Sequence, residues 1–384
     1  MNESGAQPDS GRPAFDRRFL FSPSGWPYLL VPFIPLAVGL DLAHASDTLI
    51  FFSAALGVIP TAALMGRATE EVASQSGPGI GGLLNVTFGN APELIIALFA
   101  LGAGLHEVVK ASIIGSILGN VLLVMGAAMV AGGLTGGRKV QRFDRTAANV
   151  QSLMLFLAIA ALVMPAVFEL VEGQGLPGIE QERVSYDDTV EDLSLAVAVV
   201  LIATYVAGLF FSLRTHRSLF NPEYGEHDDT WGWSIRTSVI ALAVAGVTVG
   251  LMSEILVGSI EAASESVGLS EFFIGVIVVA IVGNAAEHWV AVLVAVKDKM
   301  DLSVNIAIGS SAQIALFVAP VLVLASFVLG PGPMPLVFNG FEIAAVVIAV
   351  LAAQQVTNEG ESTWFEGVQL LAVYLILGLT FYFA

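Results

Sequence analysis

Residues 89–93 read Gly-Asn-Ala-Pro-Glu and residues 283–287 read Gly-Asn-Ala-Ala-Glu, an offset of 194. A second pair, Ile-Gly-Ser at 114–116 and at 308–310, keeps that offset with no gap. Ala97 matches Ala291 at the same distance, and Glu107 matches Asp301 in charge. A looser pair, Ala-Thr-Glu-Glu at 68–71 and Ser-Ile-Glu-Ala at 259–262, sets Glu70 opposite Glu261 at an offset of 191. Two separate motifs held at one offset identify the chain as two copies of one unit.

The motifs sit in apolar sequence. Of 384 residues 56% are hydrophobic and only 12% charged, against about 25% charged in a soluble domain. Too little polar surface remains to face water, so the chain is read as membrane-embedded. With about 20 apolar residues needed per crossing, helices are predicted near 26–43, 48–74, 82–105, 110–133, 147–170, 192–213, 233–263, 270–296, 302–329, 333–354 and 363–384. The fold class is therefore an all-α polytopic membrane protein of about 11 transmembrane helices. The stretch starting near Trp26 lacks a small-residue cleavage site and reads as a retained helix.

The basic residues test this count. With the N-terminus in the cytoplasm, the inside segments hold Arg12, Arg17, Arg18, Arg138, Lys139, Arg142, Arg145, Arg214, Arg217, Arg236, Lys297 and Lys299. The outside loops hold only Lys110 and Arg183, and Arg67 lies within a span. That is a strong positive-inside asymmetry. The motif helices are then the third and eighth spans, an odd number apart, so they cross in opposite directions. The predicted organisation is a cytoplasmic segment 1–25, an accessory helix and loop 26–47, a first five-helix repeat 48–213, a cytoplasmic acidic linker 214–232 and a second, inverted five-helix repeat 233–384. Inverted repeats are a transporter architecture, with the substrate site at the midplane where they meet. The linker acids Glu223, Glu226, Asp228 and Asp229 read first as a plain solvated loop, with cation sensing as the alternative.

Glu93 and Glu287 fall well inside their spans, where a charged side chain costs at least about 2.5–3.5 kcal/mol. No lysine or arginine on those helices offers an obvious partner. A proton or a bound cation must neutralise them, and a site that alternates between the two is what proton/cation exchange requires. Asn90 and Asn284, three residues earlier, place an amide on the carboxylate's helix face. Pro92 removes a backbone N–H and can free a carbonyl. Ser116 and Asn120 in one repeat and Ser310 and Gln313 in the other add hydroxyl and amide oxygens. Small residues such as Gly115 and Gly309 equally suit plain helix packing. This all-oxygen set suits a hard cation, calcium taking about 6–8 oxygens. Glu70, Glu254 and Glu261 are candidates for a proton or ion pathway, Glu254 and Glu261 being seven apart and so on one helix face. His288, next to Glu287, can orient the carboxylate, titrate near neutral pH, or simply pack.

These paired motifs, Gly-Asn-Ala-Pro-Glu-Leu with Gly-Asn-Ala-Ala-Glu-His and Gly-Ser-Ile-Leu-Gly-Asn with Gly-Ser-Ser-Ala-Gln-Ile, resemble the cation/proton exchanger branch of the calcium/cation antiporter superfamily. The resemblance spans nearly the whole chain from about residue 48. It implies a one-plus-five-plus-five helix fold and calcium export driven by inward proton movement. It implies Glu93 and Glu287 as central ligands shared with protons, with Glu70 and Glu261 in support. Ala286, Gln313 and His288 match the proton-coupled branch rather than the sodium-coupled one, and Gly119 departs from a serine common in the family.

Other readings make different demands. A sodium-coupled exchanger, or an exchanger of manganese or another divalent ion, uses the same oxygen ligands. A channel needs no proton coupling. A membrane-embedded metallohydrolase built on Glu287 and His288 lacks a zinc-ligand set, since the chain has five histidines and no His-Glu-x-x-His. No enzyme activity and no cofactor are expected; calcium and protons are the transported ions and the lipid bilayer the surroundings. The net charge of −18 speaks against a nucleic-acid partner. It fits cation handling or salt adaptation alike. A prokaryotic plasma membrane is the expected location, and the sequence leaves the oligomeric state open.

Overall fold

The computed structural model describes residues 17–22, 24–135, 140–179, 186–215 and 231–384. The linker acids Glu223, Glu226, Asp228 and Asp229, and the basic residues Arg12, Arg138, Lys139, Arg183 and Arg217, lie outside the described residues. Among the described residues the architecture is helical, apart from one two-stranded ribbon and an irregular strap before Gly340. Among the described residues nine helices are long and apolar enough to cross a membrane. They are α2 (Asp47–Gln75), α5 (His106–Leu134), α6 (Arg145–Val171), α7 (Asp188–Phe210), α8 (Ile235–Gly258), α10 (Glu271–Val296), α11 (Met300–Ser326), α12 (Gly340–Thr357) and α13 (Trp364–Phe383). Shorter pieces include α1 (Phe33–Leu42), α3 (Gly77–Phe88), α4 (Ala91–Gly102) and α9 (Ile260–Val267). This is an integral, multi-pass membrane protein.

Burial grades the helices by position. α5 and α11 are 83% and 72% buried along their apolar windows, whereas α7 and α13 are 22% and 17% buried. The first two therefore form the core, and the last two show lipid an apolar surface through residues such as Val199, Val200, Leu375 and Ile376. Equally hydrophobic sequences separate in this way because small residues let α5 and α11 be approached closely. A Cβ on Gly115 would stand 2.0 Å from the Val276 carbonyl oxygen, and one on Gly126 would stand 2.9 Å from the Gly367 carbonyl oxygen.

Four expected spans differ in detail. The span expected over 26–43 is a 3-10 turn, Trp26–Leu30, followed by the ten-residue α1. The span expected over 82–105 is two half-helices, α3 and α4, meeting at Gly89 and Asn90. Pro92 lacks the N–H that would close onto the Phe88 carbonyl, and its ring disfavours helix through the preceding turn. Ala286, at the same place in the second repeat, has its N–H, and α10 runs on without a break. The span expected over 233–263 stops at Gly258 and restarts at Ile260, with Ser259 at φ −105°, ψ 0°. Glu254 and Glu261 therefore do not share one continuous helix face. The span expected over 333–354 begins only at Gly340. The preceding strap buries Met334, Leu336, Val337 and Phe338 at 1% exposure or less, so its backbone must find partners. Ser326 Oγ accepts from Met334 N–H at 2.9 Å, and Ser194 Oγ accepts from Leu336 N–H at 3.0 Å. The Val337 carbonyl accepts from Lys110 Nζ at 2.9 Å. Asn339 and Glu342 then close a capping box on α12.

The repeat extends to backbone irregularities. α5 widens into a π turn at Gly119–Val124 and α11 into one at Ile314–Val318; the offset of 194 carries 119–124 onto 313–318. Such turns insert an extra residue and occur often at functional sites. The ribbon pairs β1 (Gln141–Arg142) antiparallel with β2 (Glu361–Ser362).

Candidate functional site

The two Gly-Asn-Ala-x-Glu motifs cross, head to tail. A Cβ on Gly89 would lie 3.3 Å from Glu287 Oε1, and one on Gly283 would lie 3.1 Å from Glu93 Cγ. Each motif's glycine thus makes room for the other motif's glutamate. The pairing of 89 with 287 and of 283 with 93 means that the segments run antiparallel where they cross.

The crossing repeats one layer out. The one O–H of Ser310 has two acceptors within reach, Asn90 Oδ1 at 2.7 Å and Glu287 Oε2 at 3.1 Å. In the opposite half, Asn284 Nδ2 donates to Ser116 Oγ at 3.1 Å. The serine of each second motif therefore meets the asparagine of the other repeat's first motif. Gln313 joins through Oε1, which accepts from Asn90 Nδ2 at 2.7 Å. On the other side Asn120 Oδ1 lies 3.1 Å from His288 Nε2, and a Cβ on Gly119 would lie 3.6 Å from that ring's Cε1. All seven expected ligand residues, Glu93, Glu287, Asn90, Asn284, Ser116, Ser310 and Gln313, converge, and Asn120 and His288 lie beside them.

The halves present their carboxylates differently. Glu93 is in the first turn of α4, with Asn90 at the N-cap in a non-helical conformation (φ −97°, ψ 19°). The expected shared helix face for Asn90 and Glu93 is therefore replaced by a cap and first-turn relation. This sets Glu93 at a half-helix N-terminus, whose dipole favours negative charge. Glu287 instead stands in mid-helix on α10, where the Asn284 amide also donates to the Ala280 carbonyl at 2.9 Å.

Two acceptor oxygens of this centre, Glu93 Oε1 and Asn284 Oδ1, are buried with no hydrogen-bond donor. Buried polar atoms are rarely left so. The residues themselves differ in access: Asn90, Asn284, Ser116 and Ser310 are buried, whereas Glu93, Glu287 and Gln313 are half-buried. Among the described residues no group of three or more His, Cys, Asp or Glu forms a cluster. The charge of the centre is two carboxylates among neutral oxygens, a set that fits one divalent cation.

The outlying acids divide. Glu70 is paired with Arg67 at 3.1 Å with its side chain 56% exposed, and it is near enough to Glu287 for their charges to interact. Its neighbour Glu71 is 1% exposed and pairs with Arg67 at 3.2 Å. Glu71 also accepts from the backbone N–H groups of Trp231 and Trp233. The sequence does not separate these adjacent acids, because which one turns inward depends on how α2 is rotated against its neighbours. Glu254 and Glu261 are exposed and join none of the central hydrogen bonds. A second polar cluster escaped the motif search: Lys110, 1% exposed, pairs with Glu107, and Glu342 is fully buried nearby. Its members fall at helix starts, where sequence alone suggests solvent.

A multi-pass helical protein with paired carboxylates crossing at its centre is of the ion-exchanger class. The chain belongs to the sodium/calcium exchanger protein family, whose model matches residues 46–214 and 237–383, one stretch for each repeat. Within that family it is of the cation/proton exchanger branch. It is 45% identical over 375 residues to the Ca(2+)/H(+) antiporter of Aphanothece halophytica, covering 92% of this chain and 95% of that protein. It is 44% identical over 353 residues to the Ca(2+)/H(+) antiporter ChaA of Bacillus subtilis, covering 91% and 96%. The solved structure of native YfkE superposes with a TM-score of 0.79 at 40% identity, covering 93% of this chain and all of that one. The H+/Ca2+ exchanger CAX shares the fold, with a TM-score of 0.70 at 15% identity over 94% of this chain and 92% of that one.

Proposed function

We propose that this protein exchanges calcium for protons across a membrane by alternating access, with Glu93 and Glu287 binding calcium or protons in turn. What carries the reading is the crossed pair of motifs: two carboxylates converge, ringed by amide and hydroxyl oxygens, and two acceptor oxygens there lack a donor. A divalent cation supplies the missing partner and balances both charges. When it leaves, protons on the carboxylates remove the cost of bare charge at depth. The names of the relatives at 45% and 44% identity support calcium and protons as the exchanged ions.

In this reading the chain crosses the membrane eleven times, α3 and α4 together making the third crossing. The N-terminus is cytoplasmic, the halves 48–213 and 233–384 are inverted repeats, and the protein resides in a prokaryotic plasma membrane. Asn90, Asn284, Ser116, Ser310 and Gln313 complete the cation shell, and Asn120 and His288 support it. Glu70 lies on the cytoplasmic approach to Glu287, and Glu254 and Glu261 serve the outer side.

The test is calcium flux into proteoliposomes under an imposed pH gradient, for the unaltered protein and for Glu93→Gln and Glu287→Gln. Proton-driven accumulation, indifferent to sodium and lost in both variants, is the expected result. Accumulation driven by sodium would replace the coupling ion. Proton-driven flux undiminished in both variants would remove the glutamates from the mechanism.

A further inference from the structure

We propose that Gln151 and Asn305 form the station through which the cation passes between the cytoplasm and the central carboxylates. This rests on the exchanger reading above and on its orientation, and adds a residue-level route to it.

The stripe is written in α11. Asp301, Asn305, Gly309 and Gln313 recur every four residues, which places them along one side of the helix. Asp301 is exposed, and Asn305, Gly309 and Gln313 are half-buried, whereas Val304, Ala307 and Ile308 are buried. From Asn305 to Gln313 is about 12 Å along the axis at 1.5 Å per residue. Gln313 then bonds Asn90, which bonds Ser310, which bonds Glu287. Opposite the stripe, on α6, Gln151 is half-buried and donates Nε2 to Asn305 Oδ1. The bare face of Gly309 looks onto this pair: a Cβ there would meet Asn305 Oδ1 at 3.4 Å and Gln151 Nε2 at 3.7 Å. Exposed carboxamides are costly against hydrocarbon and suit a wetted passage.

The other repeat lacks this track. At the offset of 194, Asn305 corresponds to Ala111, Gly309 to Gly115, Gln313 to Gly119 and Gln151 to Ala345. There the face is closed by the start of α10: Gly115 abuts the Val276 carbonyl, and a Cβ on Gly275 would lie 3.0 Å from Ala111 Cβ. The segment corresponding to the start of α10 is α3, and α3 packs against α2 and the turn Phe211–Thr215 that follows α7 instead of lying on α11. The polar face is thus open on one side of the central site while its counterpart is shut.

Neutral carboxamide oxygens can replace one or two waters around a divalent ion without holding it as a carboxylate does. They do not titrate, so the station serves the metal ion rather than the proton.

The chain has no cysteine, so single cysteines report without background. Asn305→Cys and Ala111→Cys are compared in oriented vesicles with a membrane-impermeant, positively charged thiol reagent. Asn305→Cys should react from the cytoplasmic face at least tenfold faster than Ala111→Cys reacts from either face. In transport, Asn305→Leu and Gln151→Leu should each raise the KM for calcium at the cytoplasmic face about tenfold. The KM at the outer face should stay within twofold, and Asn305→Gln should restore the cytoplasmic value. Labelling of Asn305→Cys no faster than that of Ala111→Cys, or equal KM changes at both faces, or none, overturns the station. An unaltered protein that fails to exchange calcium for protons would instead sink the exchanger reading, and the labelling result would still decide whether this face is open.

Discussion

Gly283 leaves the space that Glu93 occupies: a Cβ added at Gly283 would stand 3.1 Å from Glu93 Cγ and 3.6 Å from Ile96 Cδ1. The first distance is tighter than ordinary van der Waals contact, and the glutamate stem must give way. Gly283→Ala is therefore expected to keep the fold but displace the Glu93 carboxyl by a few tenths of an ångström. Uptake measured against calcium concentration should show KM raised about tenfold with the maximal rate reduced less. An unchanged KM would mean that Glu93 tolerates the shift and that its placement is not critical.

Ser310 and Ser116 are equivalent by sequence but unequal in the structure. Ser310 has both Asn90 Oδ1 and Glu287 Oε2 within reach of its one O–H, whereas Ser116 accepts one bond from Asn284. A hydrogen bond to a charged group is worth about 1.5–3 kcal/mol, although intramembrane bonds average nearer ~0.6 kcal/mol. Ser310→Ala is expected to weaken calcium binding roughly tenfold and Ser116→Ala by no more than about threefold. Calorimetric titration of purified protein checks the order of the two.

Pro92 makes the break between α3 and α4, and Ala286 leaves α10 whole. Pro92→Ala restores the missing N–H and removes the ring clash, so the third crossing should straighten. Expected is a fall in maximal exchange rate of more than tenfold with the calcium KM altered less than threefold. Stopped-flow uptake separates the two quantities. A rate unchanged by the substitution would mean that the break is not used during the cycle.

Arg67 divides its pairing between an exposed acid and a buried one. Glu71→Gln leaves a half-buried guanidinium without its buried partner and weakens the acceptors for Trp231 and Trp233, a class of change that costs about 3 kcal/mol or more. Glu70→Gln breaks an exposed pair worth about 1 kcal/mol or less. Thermal unfolding in detergent should show a clear loss of Tm for Glu71→Gln and little for Glu70→Gln. Transport should show the reverse, because Glu70 is the acid whose charge reaches Glu287.

What could be read beforehand follows the physics. Repetition, hydropathy and loop charge are properties of sequence position, so the duplicated membrane fold and the convergence of Glu93, Glu287, Asn90 and Ser310 were legible. Pro92 announced a disturbance, but its outcome, two half-helices with Asn90 as a cap, depends on how the backbone resolves it. The π turns at Gly119 and Ile314 carry no residue signature. Nor does the exchange of glycine and glutamate between motifs, which exists only once two helices cross. Lys110 looked like a loop residue because sequence does not reveal the buried strap at Val337 that takes its proton-bearing nitrogen.

The widened turns also record an order of events. An extra residue accommodated at one register in both α5 and α11 is most simply an inheritance, present in the ancestral half before the gene doubled. Pro92 against Ala286, and Gly119 against Gln313, differ between the copies and must have parted afterwards. A protein built from a single half would have met itself with two identical faces. The descendant has jointed the motif helix in one copy at Pro92 and left it whole in the other at Ala286, and that division of labour is the younger trait.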